Sequence, residues 1–302
     1  TDHRAAAFAS AVALAVYLFT LAPTVTGEDG GEFMAAAYSL GIPHPTGYPL
    51  WTFLAHLFTY IPFGEVAWRI SLMSAFWASA TVYCVVLTLR HRNLSRLTSI
   101  SAALALAVSR EFWEQSVIAE VYTLNAFFVI LCLYLLLRWR DSHSPTILYT
   151  FTLLYSLSLS NHSTMALLGP LFLAYIFYHS PTLLRDYRSL GICIAVFAAG
   201  LLVQLYLPIR SRANPAMDWG NPETLQAFWD VFTRKQYQAM MSDERSLGLF
   251  FRQVLAFMKY YLWEFTPWVL LLAIPGMKQL YAHSKSAGLL ILATFLIILL
   301  AS

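Results

Sequence analysis

The sequence carries little charge for its length. Charged side chains make up 12% of its 302 residues, whereas soluble domains usually carry about a quarter. The mean hydropathy is +0.60 and 59% of the residues are hydrophobic, which is more apolar surface than a soluble protein of this size can bury. The aromatic content of 16% also excludes a disordered chain, since such chains are poor in aromatics. The composition therefore predicts an all-α, polytopic membrane protein.

Cysteine is scarce as well. Cys84, Cys132 and Cys193 lie inside apolar runs, and their spacing fits neither a disulfide framework nor a zinc site. The net charge of +3 is small, so we expect no nucleic-acid partner. These absences leave the lipid bilayer as the predicted surroundings of the chain.

The apolar runs predict about nine membrane spans in one domain, residues 1–302. Most of the runs approach the ~20 residues that a helix needs to cross a bilayer, although the third and fifth are short. The predicted spans are 5–23, 66–89, 97–110, 121–138, 145–160, 163–179, 189–208, 255–276 and 286–302. Because the sequence ends inside an apolar run, we expect that a further C-terminal part follows.

The basic residues orient these spans. One set of short loops holds Arg4, Arg90, Arg92, Arg96, Arg138, Arg140, Arg185, Arg188, Lys278 and Lys285, and the short loops on the other side hold Arg69 and Arg110. The excess of positive charge marks the first side, and with it the N-terminus, as cytoplasmic. The two elaborate loops, 24–65 and 209–254, then face outward and form the predicted active site.

Three carboxylates open the first outer loop: Glu28, Asp29 and Glu32. Asp29 as N-cap with Glu32 three residues later resembles a capping box, so we expect a short helix over 30–40. The next segment, 41–49, contains three prolines and is predicted to be a stiff strap that carries His44 and Tyr48 beside the acids. We expect an interfacial helix over 49–61.

Other polar residues are predicted at the outer ends of spans. Glu120 lies among apolar residues, where a carboxylate needs either a function or a structural hydrogen bond. Asn161 and His162 form a polar break between two spans, which a tight helical turn would also explain. Arg210 and Arg212 leave a span together; guanidinium groups suit phosphate recognition, but snorkelling to lipid head groups is the alternative. A turn-rich segment with Asp218 and Trp219 follows, and then an amphipathic helix over 223–241 that carries Arg234.

Six segments together resemble one family of membrane proteins. They are 29–32 (Asp-Gly-Gly-Glu), 40–50 (Leu-Gly-Ile-Pro-His-Pro-Thr-Gly-Tyr-Pro-Leu), 67–73 (Ala-Trp-Arg-Ile-Ser-Leu-Met), 119–125 (Ala-Glu-Val-Tyr-Thr-Leu-Asn), 160–164 (Ser-Asn-His-Ser-Thr) and 207–222, which ends Asp-Trp-Gly-Asn-Pro. The family includes the eukaryotic O-mannosyltransferase of plexin and receptor-kinase IPT domains and lies in the GT-C superfamily of glycosyltransferases. One departure is Thr46, where the family commonly has proline.

The resemblance implies a GT-C-like helix bundle with an inverting glycosyltransferase site on the extracytoplasmic side. The implied donor is a polyprenyl- or dolichyl-phosphate sugar, with mannose favoured, and the acceptor is a protein or glycan hydroxyl. Asp29 is the implied base, with Glu32 as second choice or partner, and Arg210 and Arg212 would hold the donor phosphate. The implied pocket residues are His44, Tyr48, Glu120, Tyr122, Asn161, His162, Asp218 and Trp219. A bacterial inner membrane is favoured over the endoplasmic reticulum.

The sequence leaves two questions open. The clustered acids permit a divalent metal but do not require one, so no cofactor is predicted. A transporter or flippase of lipid-linked sugars is the alternative function, and it would place polar groups along a path through the membrane. Here the polar groups gather at one side, which favours the transferase.

Overall fold

The computed structural model describes residues 2–237 and 247–301, and the chain is an all-α membrane protein. The first half of the described chain contains α1 (Asp2–Thr20), α2 (Gly30–Ser39), α3 (Pro49–Phe58), α4 (Val66–His91), α5 (Arg96–Ala107), α6 (Arg110–Ser116) and α7 (Tyr122–Ser142). The second half contains α8 (Pro145–Ser158), α9 (Thr164–His179), α10 (Tyr187–Leu201), α11 (Tyr206–Ser211), α12 (Leu225–Phe232), α13 (Leu247–His283) and α14 (Lys285–Ala301). Short 3-10 helices at Pro181–Arg185 and Leu202–Leu205 flank α10.

Four of the described helical segments are long and apolar enough to cross a membrane on their own. They are Asp2–Thr20, Val66–His91, Tyr122–Ser142 and Tyr187–Ser211, and they coincide with four of the nine predicted spans. The predicted third and fifth spans become α5 and α8, of 12 and 14 residues, which are shorter than a bilayer crossing needs. The count of nine spans stays a prediction.

Helix α4 is the centre of the bundle. It packs against α1 and α5 on one side and against α7 on the other. The small residues Ala75, Ala78 and Ser74 are fully buried along α4, and small side chains let helix backbones approach closely within a membrane. Helices α1, α5 and α7 therefore assemble around α4.

The helix boundaries follow local chemistry. Side-chain oxygens of Ser95, Asp186 and Thr224 accept hydrogen bonds from the first turns of α5, α10 and α12, as N-cap residues do. Proline stands at the first position of α3 and α8, where its missing N–H has no helical partner to lose. The predicted helix over 30–40 is α2, and the helix predicted over 49–61 is α3, whose place at the membrane interface stays a prediction. Of the predicted helix over 223–241, α12 covers the first half and 238–241 lie outside the described residues.

Candidate active site

The acidic cluster lies at the first turn of α2. Asp29 is the N-cap residue, but its side chain makes no capping hydrogen bond and is 58% exposed. Glu32 does not complete a capping box, because its carboxylate faces the strap instead. The expected capping box is therefore wrong in its hydrogen bonds, although the helix begins where it was predicted. The departure leaves both carboxylates directed away from the helix backbone and available to the site.

His44 joins the two acids. Its backbone N–H donates to Glu32 Oε1 at 2.5 Å, and its Nδ1 lies 3.2 Å from the same oxygen. Its Nε2 lies 3.0 Å from the Tyr48 hydroxyl and 4.0 Å from Asp29 Oδ2. A carboxylate on one ring nitrogen fixes the orientation of the imidazole. The strap thus holds His44 between Glu32 and Asp29, as the sequence predicted.

Aromatic rings form the floor below these polar groups. The Phe33 ring contacts the rings of His44, Tyr48 and Trp51 at centroid distances of 5.4, 5.2 and 4.8 Å. Burial raises the pKa of the Tyr48 phenol well above its usual range, so Tyr48 stays a neutral hydroxyl at physiological pH. The sequence did not predict that Phe33 and Trp51 pack beneath the site, because nothing in it distinguishes these two residues from ordinary core aromatics.

Glu120 lies beneath the acidic turn. Its side chain is 2% exposed, and its carboxylate accepts hydrogen bonds from the backbone N–H groups of Val121 and Asp29. Burial, together with the charges of Asp29 and Glu28, raises the pKa of Glu120 to about 7 against the effect of those bonds. Glu120 therefore supports the backbone at Asp29 from below, and its main chain is tied in turn to α3 through the Trp51 indole at 3.0 Å.

The polar break between α8 and α9 borders the same floor. The His162 ring lies 6.3 Å from the Tyr48 ring and 5.8 Å from the Tyr122 ring. Burial lowers the pKa of His162 to about 4, and the positive charges of Arg234 and His44 act in the same direction. His162 is therefore neutral at pH 7. Asn161 is fully buried and donates to the Val121 carbonyl at 3.4 Å, a structural role that fixes the turn.

The late outer segment, which belongs to the predicted outer loop 209–254, forms backbone hydrogen bonds with the strap. Ile42 and Asp218 form an isolated parallel bridge, with Ile42 N–H donating to the Met217 carbonyl at 2.8 Å and Trp219 N–H to the Ile42 carbonyl at 3.0 Å. A Cβ at Gly41 would lie 2.7 Å from the Met217 carbonyl oxygen, so only glycine permits this approach. The bridge explains why segments 40–50 and 207–222 belong together.

Two of the predicted pocket residues, Asp218 and Trp219, lie in the late outer segment. Asp218 Oδ2 accepts a hydrogen bond from the Ser211 hydroxyl at 2.8 Å, which holds the turn that follows α11. Trp219 is 44% exposed, and its ring lies 6.4 Å from the His44 ring. Trp219 therefore borders the site, whereas Asp218 shapes the segment that carries Trp219.

The two arginines predicted to bind phosphate differ in their surroundings. Arg210 donates from Nε to the Leu40 carbonyl at 2.8 Å and from a terminal nitrogen to the Ser39 carbonyl at 3.3 Å. These carbonyls end α2, where a positive charge is favoured. Arg212 is exposed, and no carboxylate lies within 4.0 Å of it among the described residues. Arg210 thus connects the late segment to α2, a contact 170 residues apart that no local pattern reveals.

The cluster also has the composition of a cation site. One ligand atom from each of Asp29, Glu32 and His44 lies within 4.8 Å of the others. Two carboxylates with an imidazole can bind several divalent ions. The same carboxylates can instead take a proton from a hydroxyl. The geometry suits either use.

Comparison with known proteins shows which family the chain belongs to. A family model described as the Protein O-mannosyl-transferase TMEM260 N-terminal domain matches residues 29–184, which include the acidic turn, the strap and the polar break. The chain belongs to this family. No solved structure matches it.

Two curated relatives extend the match to the late segment. The protein named Protein O-mannosyl-transferase TMEM260 of Mus musculus is 33% identical over 253 residues, which cover 80% of this chain and 35% of the relative. The protein of that name from Dictyostelium discoideum is 28% identical over 240 residues, 74% of this chain and 29% of the relative. The chain spans about a third of the length of these family members.

Proposed function

We propose that this protein is a membrane glycosyltransferase that moves mannose from a polyprenyl- or dolichyl-phosphate donor to a protein Ser or Thr hydroxyl. The observation that carries the proposal is the joining of Asp29, Glu32, His44 and Tyr48 at one face of a membrane bundle. The names of the mouse and Dictyostelium relatives support the class of reaction. The sequence resemblance supports the lipid-linked donor.

Asp29 is the proposed base of the reaction. Its carboxylate would take the proton as the acceptor oxygen attacks the anomeric carbon of the sugar. The new C–O bond forms as the bond from that carbon to the phosphate oxygen breaks, and the lipid phosphate leaves with the bonding electrons. Attack from the face opposite the leaving group inverts the anomeric centre. The 58% exposure of Asp29 leaves its carboxylate accessible to an acceptor hydroxyl.

Glu32 and His44 orient this site in the proposal. Glu32 accepts from both the backbone and the ring of His44, so it is better placed to position the imidazole than to meet an acceptor. His44 Nε2, 4.0 Å from Asp29, then adds a polar group beside the base. The Tyr48 hydroxyl completes the chain of contacts at 3.0 Å and forms part of the proposed sugar pocket.

The remaining predicted residues are assigned by their positions. Tyr122, His162 and Trp219 border the aromatic floor and are proposed to line the pocket. Glu120, Asn161 and Asp218 support the backbone around it. The phosphate role of Arg210 and Arg212 stays a prediction, and the two carbonyl contacts of Arg210 leave less of its guanidinium for a ligand.

The proposed site faces the extracytoplasmic side. The support is the charge distribution of the loops, which marks the opposite face as cytoplasmic. Location in a bacterial inner membrane rather than in the endoplasmic reticulum belongs to the same proposal. The expected partners are the lipid-linked donor, a protein or glycan acceptor and the bilayer itself.

A transfer assay in proteoliposomes tests the function. Purified protein would receive radiolabelled mannose as a polyprenyl monophosphate ester or as a nucleotide sugar, with a Ser/Thr-rich peptide outside. We expect transfer from the lipid monophosphate only, and D29N should slow it by at least about 10²-fold. Movement of intact donor across the bilayer without an acceptor product would favour a flippase. Transfer from the nucleotide sugar alone would overturn the proposed donor.

A further inference from the structure

Arg234 follows helix α12 in a conformation that the packing of this helix determines. α12 ends at Phe232, and Arg234 has a φ of +57°, which is unusual for a residue with a side chain. Val231, one turn earlier, is 3% exposed and packs with Ile42 of the strap and Leu207 of α11. This small core fixes the end of α12 over the strap, so that the backbone at Arg234 has a defined place beside the site.

The guanidinium of Arg234 lies above the polar break and the aromatic floor. One terminal nitrogen donates to the Ser163 hydroxyl at 3.4 Å, and the guanidinium carbon lies 5.1 Å from the centre of the Tyr237 ring. Its positive charge acts on both Tyr48 and His162. Within residues 2–237 and 247–301, no carboxylate lies within 4.0 Å of it. The charge therefore faces the site and has neutral contacts there.

Asp29 and Arg234 both lie close enough to Tyr48 for their charges to act on its hydroxyl. The negative charge of Asp29 and the positive charge of Arg234 act in opposite directions on the Tyr48 phenol. A glycosyl phosphate needs both kinds of group, since its phosphate is negative and the hydroxyl that attacks its sugar must lose a proton. The outer site thus provides a base and a cation for the two ends of one substrate.

Arg234 differs from the other cations of the late outer segment. Arg210 donates to the carbonyls that end α2. Lys235 pairs with Asp230 at 3.1 Å, and Arg212 is exposed. Among these four described cations, Arg234 is the one that donates to a residue of the polar break, Ser163. We propose that Arg234 binds the phosphate of the lipid-linked donor, an assignment that rests on the proposed function.

Binding of the leaving lipid tests this assignment without requiring catalysis. The affinity of the protein in nanodiscs would be measured for polyprenyl monophosphate and for the neutral polyprenol. We expect R234Q to weaken monophosphate binding about tenfold or more and to leave polyprenol binding unchanged, because a charge-assisted contact is lost. R234K should fall between R234Q and the wild type, since lysine keeps the charge but not the planar donors.

A matched variant makes the outcome specific. K235Q, which removes a charge that Asp230 already pairs, should bind monophosphate within about twofold of the wild type. Wild-type affinity in R234Q, or an equal loss for polyprenol, would overturn the assignment. Transfer activity is measured alongside. If R234Q loses monophosphate binding but the wild type transfers no sugar, the phosphate site stands and the proposed reaction fails. If transfer occurs and R234Q binds normally, the reaction stands and Arg234 is not the phosphate ligand.

Discussion

The two ends of the bundle use charge differently. At the predicted inner end, Asp2 lies 2.7 Å from Arg90, and Asp141 lies 2.6 Å from Arg140 and 2.9 Å from His91. At the other end, the basic side chain within 4.0 Å of Asp29 among the described residues is the His44 imidazole, at 4.0 Å. Paired charges anchor a helix end, whereas a carboxylate without a close cation keeps its capacity to accept a proton. The difference supports the proposal that the end of the bundle with Asp29 holds the active site.

The largest expected effect comes from the outer carboxylate itself. D29N removes the base but retains the shape of the side chain, so the transfer rate should fall by about 10²- to 10⁴-fold. D2N, the matched change at the inner end, should keep transfer within about twofold. Initial rates at saturating donor measure both. Comparable losses in the two variants would break the comparison between the ends.

Glu120 is expected to produce the next largest effect, on stability. The pKa of Glu120 is raised to about 7 in the folded protein. The folded state therefore keeps the Glu120 carboxyl protonated to a higher pH than the unfolded state does. The contribution to stability is therefore present below about pH 4.5 and is lost as pH rises through 7. Between pH 5 and pH 8 the free energy of unfolding of the wild type should fall by about 2 kcal/mol. That of E120Q, which has no proton to lose at this position, should not show this fall. Unfolding in detergent at both pH values measures this, and equal pH dependence of the two proteins would contradict it.

Glu32 should affect catalysis less than Asp29. E32Q retains an oxygen that can accept from the His44 backbone but loses the charge beside the ring, so transfer should fall about tenfold. The loss should appear in kcat rather than in the donor KM, because the imidazole is held less firmly beside the base. E65Q, at the exposed N-cap of α4, is the control. A loss as large as that of D29N would make Glu32 the base.

Arg210 is expected to have the smallest effect, on the attachment of the late outer segment to the end of α2. R210Q loses the charged hydrogen bonds to the Ser39 and Leu40 carbonyls, and the free energy of unfolding should fall by about 1–2 kcal/mol. Arg212 is exposed and lies two residues away. R212Q should therefore change the free energy of unfolding by less than about 0.5 kcal/mol, as is usual for surface positions. An equal effect of R210Q and R212Q on the free energy of unfolding would show that the contacts of Arg210 with the Ser39 and Leu40 carbonyls do not stabilise the fold.

Local parts of the site could be predicted from sequence. The position of Asp29 at the start of a helix and the placement of His44 beside the acids follow from capping and proline patterns. Contacts across the chain could not, because nothing near Arg210 or Asp218 indicates that they hold α2 and the strap. The capping box failed for a related reason: His44, twelve residues away, competes for Glu32. Tertiary partners decided these roles.

A structure with a donor analogue bound tests the central claim most directly. The ligand would be a mannosyl phosphonate of a polyprenol, in which a carbon replaces the bridging oxygen so that no transfer occurs. The account predicts the sugar over Tyr48, its anomeric carbon facing Asp29. Binding of the head group in the inner-end cavity of about 460 Å³, lined by Asp2, His3, Arg90 and His91, would contradict it.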